Sequence, residues 1–319
     1  MTAGSRFGMF FGRPPSSRTS APMIPAIEPI RSRRLGERLA PRRRAFSLVE
    51  MLAVIAIVST LVGLVLPTVQ RVRESARMVT CGTNVRETAL GVCSYESARR
   101  SFPAGYDATP HDPNLPEGTQ HAWSSVILPS IDEQGLASQI NYANRWDAPG
   151  GNDVTSDQAV ATYACPSGIV PSVGKADYGG IAGSWIFEEG VPFPGPAGFF
   201  NGILFAVDDD HRPARAAAVT DGLSQTLLIA EAVDRSTADE SPDDPHATGR
   251  WARINCFAQS AAFINTRGSD IASNHVGGAQ AAFADGRVTF LTDITDPRVL
   301  AAICTRNGGE ASASSRADK

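Results

Sequence analysis

Apolar positions are nearly continuous near the N-terminal end of the chain and become periodic further along it. Residues 46–66 hold a single charged side chain, Glu50, among apolar and small residues. At about 1.5 Å per residue, a helix of this length crosses the roughly 30 Å hydrocarbon core of a bilayer. A signal anchor or a cleaved signal peptide is the alternative, but the run exceeds the roughly 7–15 apolar residues of a signal peptide and no small-x-small cleavage site follows it. The pattern therefore predicts a transmembrane helix over residues 46–66.

Beyond Pro67 the apolar residues recur at intervals of three and four, which is typical of an amphipathic helix. They form two rows, the first with Val69, Val72, Ala76 and Val79 and the second with Met78, Cys81, Val85, Thr88, Val92 and Tyr95. The helical pattern ends at the turn-forming segment 101–106. We expect one long helix over residues 46–100, whose later part packs against a sheet.

The body of the chain, residues 101–307, shows short elements separated by turns, in keeping with a total of 29 glycines and 22 prolines. Residues 279–284 and 287–291 flank the turn-forming pair Asp285-Gly286, which is a strong hairpin signal. The pattern also favours strands at 217–219 and 226–231, a strand end at 162–167 and a short helix within 130–142. These elements predict an α+β fold with a mainly antiparallel sheet and long loops, followed by a disordered tail over 308–319.

Charge is distributed unevenly along the chain. Residues 1–45 contain ten arginines and two glutamates, whereas the rest of the chain has 19 basic and 31 acidic residues. Arginines before an apolar segment keep that end of the chain in the cytoplasm, so residues 1–45 are predicted to be a cytoplasmic leader. An acidic body argues against nucleic-acid binding, because phosphate contacts need clustered basic side chains.

The start of the apolar segment resembles the type III signal of prepilins. Basic residues and the small residue Ala45 precede Phe46-Ser47-Leu48-Val49-Glu50. The resemblance implies that a prepilin peptidase cuts between Ala45 and Phe46 and methylates the new amine, and that Glu50 guides assembly. Prepilins usually have glycine where this chain has Ala45. A carboxylate in a bilayer is costly without a partner, and the new amine lies one helical turn from Glu50.

Motifs spread over residues 42–305 resemble the DUF1559 family of prepilin-like proteins. They include Cys81 with Asn84, residues 101–105, Trp123, Cys165-Pro166-Ser167, residues 221–226, Glu231 and the segment 273–278. The final motif is a His-x9-Asp-Gly arrangement formed by His275, Gly277, Gly278, Asp285 and Gly286. The resemblance implies a pilin-like fold, with a single α+β body behind the N-terminal helix.

His275 is the sharpest candidate for chemistry in the body. With Asp221, Asp285 or Glu231 it could bind a metal or act as a general base. The alternative, which we favour, is that His275 and Asp285 form hydrogen bonds to loops around the hairpin, since Asp-Gly pairs form turns. No G-x-S-x-G motif is present, so we predict no catalytic residue and no enzyme.

Metal ligands are not indicated by sequence spacing. No Cys/His pattern fits a zinc site, and we expect no cofactor. Calcium is a minor candidate because residues 208–210 and the acidic segment 239–244 offer oxygen ligands, although neither follows an EF-hand pattern and a solvated loop is the simpler interpretation.

Five cysteines allow up to two disulfides if the body is exported. Cys81 could pair with Cys165, and Cys256 with Cys304. Buried free thiols are an equal alternative, because sequence does not determine connectivity.

Two functions fit these features. The first is a structural subunit of a pilus or pseudopilus, for example in type II secretion, with the membrane, the prepilin peptidase and other pilin-like subunits as partners in a homo-oligomer or filament. The second is a membrane-tethered protein that binds a polysaccharide or another protein. Both predict a single pass through the inner membrane, a cytoplasmic N-terminus and a body exported to the periplasm or cell surface.

Overall fold

A computed structural model of the chain describes residues 46–109, 118–168, 174–184, 186–188, 191–193, 201–233, 257–260, 264–265 and 271–309. The predicted leader, residues 1–45, and most of the predicted tail therefore lie outside the described residues. The chain divides into two compact units, Met1–Val58 and Ser59–Lys319.

Helix α1, Leu48–Arg99, begins inside the first unit and contains Pro67. Its start carries a capping box, in which the Ser47 hydroxyl accepts the Glu50 N–H at 3.2 Å and the Glu50 carboxylate accepts the Ser47 N–H at 2.8 Å. Apolar side chains from Phe46 to Leu66 are exposed, and the helix is long and apolar enough to span a membrane. By length and composition, the predicted transmembrane helix is therefore present.

The buried face of α1 lies in its later part and consists of Cys81, Val85, Thr88, Ala89, Gly91 and Val92. Gly91 permits a close approach to the 3-10 helix Leu128–Ile131, because a Cβ at this position would lie 2.6 Å from Ile131 Cγ2. The second row of the predicted amphipathic stripe is thus buried over its central four residues, and its two ends, Met78 and Tyr95, are half-buried. Val69, Val72 and Val79 of the first row are exposed.

The body is built on a five-stranded sheet. Its strands are β2 (Tyr178–Ser184), β6 (Leu227–Glu231), β7 (Phe257–Ser260), β8 (Gly278–Phe283) and β9 (Val288–Thr292). Their order across the sheet is β7-β2-β6-β8-β9. Within this sheet β2 and β7 pair in parallel, and the other three pairs are antiparallel. The predicted α+β fold class and the hairpin around Asp285-Gly286 are confirmed.

Smaller elements complete the body. Two two-stranded ladders join β1 (Tyr106–Asp107) to β5 (Ala206–Val207) in parallel and β3 (Ile186–Glu188) to β4 (Val191–Phe193) antiparallel. The short helices are α2 (Trp123–Val126), α3 (Gln134–Ala137), α4 (Asn152–Ser156) and α5 (Pro297–Cys304).

Both faces of the sheet are covered. One apolar cluster joins Leu228 and Ile229 of β6 to Val85 of α1, and a second joins Leu227 of β6 to Leu300 of α5. Every residue of β6 and of β8 is accordingly buried. The polar side chain at the end of β6, Glu231, therefore lies inside the protein.

Two strand predictions were wrong. Residues 216–218 form a 3-10 helix, and residues 161–163 form another ahead of the turn that contains Cys165. The first of these segments consists of three alanines, and alanine is depleted in strands because it has little side chain to pack on a pleated surface. The short helix expected within 130–142 is present as α3.

Candidate functional site

The loop that contains Cys165 is attached to α1 by three separate contacts. Cys165 forms a disulfide with Cys81, and their Cα atoms are 5.4 Å apart. Asn84, one turn further along α1, donates a hydrogen bond to the Ala164 carbonyl at 2.9 Å. The Ser167 hydroxyl donates to Glu74 Oε1 at 3.2 Å. These contacts bring Cys81, Asn84 and the Cys-Pro-Ser segment together, although they are far apart in sequence.

Glu231 brings a carboxylate into this buried region from the sheet. It is the last residue of β6, and its side chain is fully buried. Its Oε2 accepts the backbone N–H of Gln280 in β8 at 2.7 Å. Its Oε1 lies 3.4 Å from Cys165 Sγ and 3.3 Å from His275 Nε2. A buried carboxylate is costly without such partners, so the position requires the cation that His275 can supply.

His275 lies in the loop before β8, and its ring is completely buried between two carboxylates. Nδ1 is 2.7 Å from Glu74 Oε1, and Nε2 faces Glu231 Oε1. The backbone N–H of His275 donates to Ser273 Oγ at 3.0 Å, and Asn274 donates to the Ser167 carbonyl at 2.9 Å. A doubly protonated imidazolium can donate to both carboxylates, which makes it the favoured form here.

The pKa values in this cluster shift in the directions that this ion pairing predicts. The hydrogen bond to Glu231 raises the pKa of His275, burial opposes it, and the hydrogen bond to Glu74 raises it further, with a net increase. Burial opposes ionisation of Glu74, but hydrogen bonds from His275 and Ser167 outweigh it and lower the pKa of that carboxyl. Each charge therefore favours the charged state of the other.

These shifts predict how the stability of the oxidised protein depends on pH. The raised pKa of His275 stabilises the fold fully below its ordinary value of 6.5, and this contribution is lost as the pH rises through the folded value. The lowered pKa of Glu74 stabilises the fold above its ordinary value of 4.5, and this contribution is lost as the pH falls through the folded value. We expect the pair to stabilise the fold most between these two pH values.

Denaturant unfolding of the full chain in detergent micelles from pH 5.5 to 9 measures this dependence. Wild type should lose more stability over this range than His275→Gln, which has no titrating ring. Arg77, which is 3.5 Å from Glu74, is present in both proteins and serves as a constant background. Parallel curves for the two proteins would contradict the assignment of the imidazolium.

The sequence suggested three carboxylates as partners of His275, and the structure places one of them against the ring. Glu231 contacts the ring, whereas Asp285 lies in the hairpin turn and accepts the Arg287 N–H at 2.9 Å. Asp221 accepts the backbone N–H groups of Gly308 and Gly309. Pairing of His275 with Asp221 or Asp285 is therefore corrected, because Asp285 is used within its own turn and Asp221 by the backbone near Gly308.

The His-x9-Asp-Gly motif frames strand β8. His275 and Gly277 precede the strand, and Gly278 is its first residue. Asp285-Gly286 lies in the turn that follows it, with Gly286 at a φ of +83°. The strand lies along α1: His275 contacts Glu74 at one end, and the Cys93 thiol donates to the Ala284 carbonyl at 3.5 Å at the other. Nine intervening residues thus span one strand between two attachments to the same helix.

The remaining sequence candidates lie apart from this cluster. Asp208 uses one carboxylate oxygen inside its own turn, where it accepts from Asp210 and His211, and the acidic segment 239–244 lies outside the described residues. Calcium binding stays a prediction. Cys304 is a buried free thiol, and burial raises its pKa to about 12. Its suggested partner, Cys256, lies outside the described residues, so that pairing is also untested.

Glu74 is the residue of the cluster that sequence analysis missed. One signal could have found it: Glu74 is seven residues, or two helical turns, before Cys81, so both project from the same face of α1. A carboxylate on the buried face of a helix needs a cationic partner, and His275 is that partner.

Two sequence families match the chain. Residues 40–66 match the prokaryotic N-terminal methylation motif, which includes Ala45, Phe46 and Glu50. Together with an apolar helix long enough to cross a membrane, this match defines a prepilin-like exported protein that is anchored in a membrane. The motif implies processing by a prepilin peptidase.

Residues 70–298 match a family described as a protein of unknown function (DUF1559). This match covers more than half of the chain, and the chain belongs to the DUF1559 family. No curated protein and no solved structure matches it. The family and the prepilin-like class predicted from sequence are both confirmed.

Proposed function

We propose that the protein is a pilin-type structural subunit that assembles through α1 into a pilus or pseudopilus. The observation that carries this proposal is the surface of the helix from Phe46 to Leu66. Its apolar side chains are exposed, with Phe46 at 75% and Leu66 at 59%, and Glu50 is its one charged residue. Such a surface needs lipid or other apolar helices around it. A filament subunit is surrounded by lipid before assembly and by the helices of its neighbours after assembly.

The capping box supports a role for Glu50 in assembly. Its carboxylate is turned back toward the helix N-terminus, where it accepts the Ser47 N–H. Cleavage before Phe46 would create a cationic amine close to this carboxylate. A buried ion pair between the amine of one subunit and Glu50 of a neighbour would favour one register of packing between helices.

A structural role also agrees with the closed surroundings of the polar cluster. The side chains of His275 and Glu231 have no exposed surface, so a substrate in solution does not reach them in this arrangement. Their contacts join α1, β6 and β8, which are the elements that hold the helix to the body.

Glu50→Ala is the test of the assembly proposal. In the native host we expect the variant to be exported and processed but to yield at least about tenfold less protein in sheared filaments, since an ion pair worth about 1.4 kcal/mol per contact changes an equilibrium by that factor. Glu87→Ala, which removes an exposed glutamate from the same helix, is the matched control and should assemble normally.

The mass of the mature chain separates processing from assembly in the same samples. A chain that begins at methylated Phe46 in both variants would assign any defect to assembly. Normal filament yield from Glu50→Ala, or no filaments from the processed wild type, would overturn the subunit proposal.

A membrane-tethered binding protein is the second candidate, and one cavity favours it. A cavity of about 630 Å³ in the body is lined by aromatic and polar side chains that include Tyr95, Arg99, His121 and Tyr142. Aromatic faces beside hydrogen-bonding groups suit a sugar or peptide ligand. This role would tolerate Glu50→Ala, so the same variant discriminates between the two candidates.

A further inference from the structure

We propose that the reduced form of the chain binds one zinc ion between Cys81, Cys165, Glu231 and His275, in place of the disulfide. Sequence spacing gave no indication of zinc, because these residues come from four separate parts of the chain. The fold places one ligand atom of each within 4.8 Å of the others, and all four residues are buried. This inference does not depend on whether the protein forms filaments.

The distances between the ligand atoms match a tetrahedral zinc site. Zinc bonds of about 2.3 Å to sulfur and about 2.0–2.2 Å to nitrogen and oxygen place neighbouring ligand atoms about 3.4–3.6 Å apart. Cys165 Sγ is 3.5 Å from His275 Nε2 and 3.4 Å from Glu231 Oε1, and the latter two atoms are 3.3 Å apart. Three edges of the tetrahedron are therefore already formed.

The fourth ligand, Cys81, needs only a local adjustment. Two thiolates on one zinc ion lie about 3.8 Å apart, compared with about 2.0 Å in a disulfide. Cys81 lies on α1 and Cys165 on a loop, so a change of side-chain rotamer or a small loop displacement can separate the sulfurs after reduction.

Groups around the cluster orient its ligands as zinc sites require. Glu74 accepts a hydrogen bond from Nδ1 of His275, which leaves Nε2 to face the cluster, and a carboxylate in this position is the usual partner of a zinc-bound histidine. The Gln280 N–H donates to Oε2 of Glu231, so that Oε1 faces Cys165 Sγ. Asp177 accepts the N–H of Cys165 at 2.8 Å and holds its backbone.

A dithiol can serve as the reductant when zinc replaces the disulfide. The dithiol gives two electrons and two protons to the Cys81–Cys165 disulfide and itself becomes a disulfide. Zinc then displaces one proton from each cysteine thiol and the Nε2 proton of the imidazolium, so three protons are released for each ion bound. Zinc supplies the positive charge that two buried thiolates and the Glu231 carboxylate would otherwise lack.

Metal titration of the full chain in detergent micelles tests the proposal. The protein is reduced with a dithiol, desalted without oxygen and titrated with cobalt(II), whose absorption reports tetrahedral geometry and thiolate ligands, and then with zinc. We expect one cobalt per reduced chain, a thiolate-to-cobalt band, displacement by zinc, and no stoichiometric binding to the oxidised chain.

Variants identify the ligands. Cys165→Ser and His275→Gln should weaken zinc binding by more than the roughly 10–100-fold that loss of a supporting group causes, and Glu74→Gln should weaken it within that range. Cys93→Ser is the matched control: it removes a free thiol of α1 that lies outside the cluster, and it should bind as wild type does.

Two results would overturn the proposal. One is a reduced wild type that retains its circular dichroism spectrum and binds no cobalt, and the other is cobalt binding that Cys93→Ser abolishes. Because the spectrum of reduced wild type is measured first, a variant that fails to fold does not decide the outcome.

Discussion

Replacing Cys81 and Cys165 together by alanine is expected to lower the free energy of unfolding by about 4.5 kcal/mol. The two residues are 84 positions apart, and a cross-link over a loop of that length removes this much conformational entropy from the unfolded chain in the loop-closure treatment. The disulfide also joins α1 to the loop that carries Ser167, so its loss weakens the neighbouring contact with Glu74.

Denaturant unfolding of the full chain in micelles, with a chelator present and without reductant, measures this loss. In a separate sample, wild type treated with a dithiol should have a free energy of unfolding close to that of the double variant, because both lack the cross-link. Cys93→Ala serves as the matched control, since Cys93 is a half-buried free thiol on the same helix. A double variant within about 1 kcal/mol of wild type would contradict a stabilising disulfide, given a usual range of about 2–5 kcal/mol.

Glu231→Ala is expected to destabilise the oxidised protein by about 3–5 kcal/mol, which is typical when one partner of a buried ion pair is removed. The substitution leaves the Nε2 side of the His275 imidazolium without its carboxylate and removes the acceptor of the Gln280 N–H. Unlike the disulfide, which acts mainly on the unfolded chain, this carboxylate acts inside the folded protein.

A double-mutant cycle with His275→Ala tests the pairing directly. The double variant should be less destabilised than the sum of the two single variants, because the second substitution removes the charge that the first left unpaired. Glu87→Ala, at an exposed position of α1, should change stability by no more than about 0.5 kcal/mol. Additive effects of Glu231→Ala and His275→Ala would mean that the two side chains do not form an ion pair.

Sequence patterns were sufficient to predict the elements that depend only on residues close to one another in the chain. The hairpin of β8 and β9 follows from Asp285-Gly286, because a short turn and its flanking strands are neighbours in sequence. The strand expected at 217–219 failed for the opposite reason. Alanine is depleted in strands, and the residues that follow this segment contact a distant part of the chain, where the N–H groups of Gly308 and Gly309 donate to Asp221.

The candidate site was only partly accessible to sequence reasoning. His275 and Glu231 stood out as motif residues, but three aspartate or glutamate partners were offered to His275 on equal terms. The partner of Nδ1, Glu74, is 201 residues away and was not among them. Nothing local to either residue encodes that contact, since it depends on how β8 lies along α1.

By itself the sequence determined the prepilin-like signal, the apolar helix from residue 46 to 66 and the amphipathic continuation, because each depends on residues within a few helical turns of one another. It also determined that the body is α+β with a hairpin near its end. Only the tertiary structure decided that Cys81, Cys165, Glu231 and His275 share one buried cluster. Packing of α1 against the sheet brings these distant positions together, and the low polarity of that interior then requires their charges to be paired.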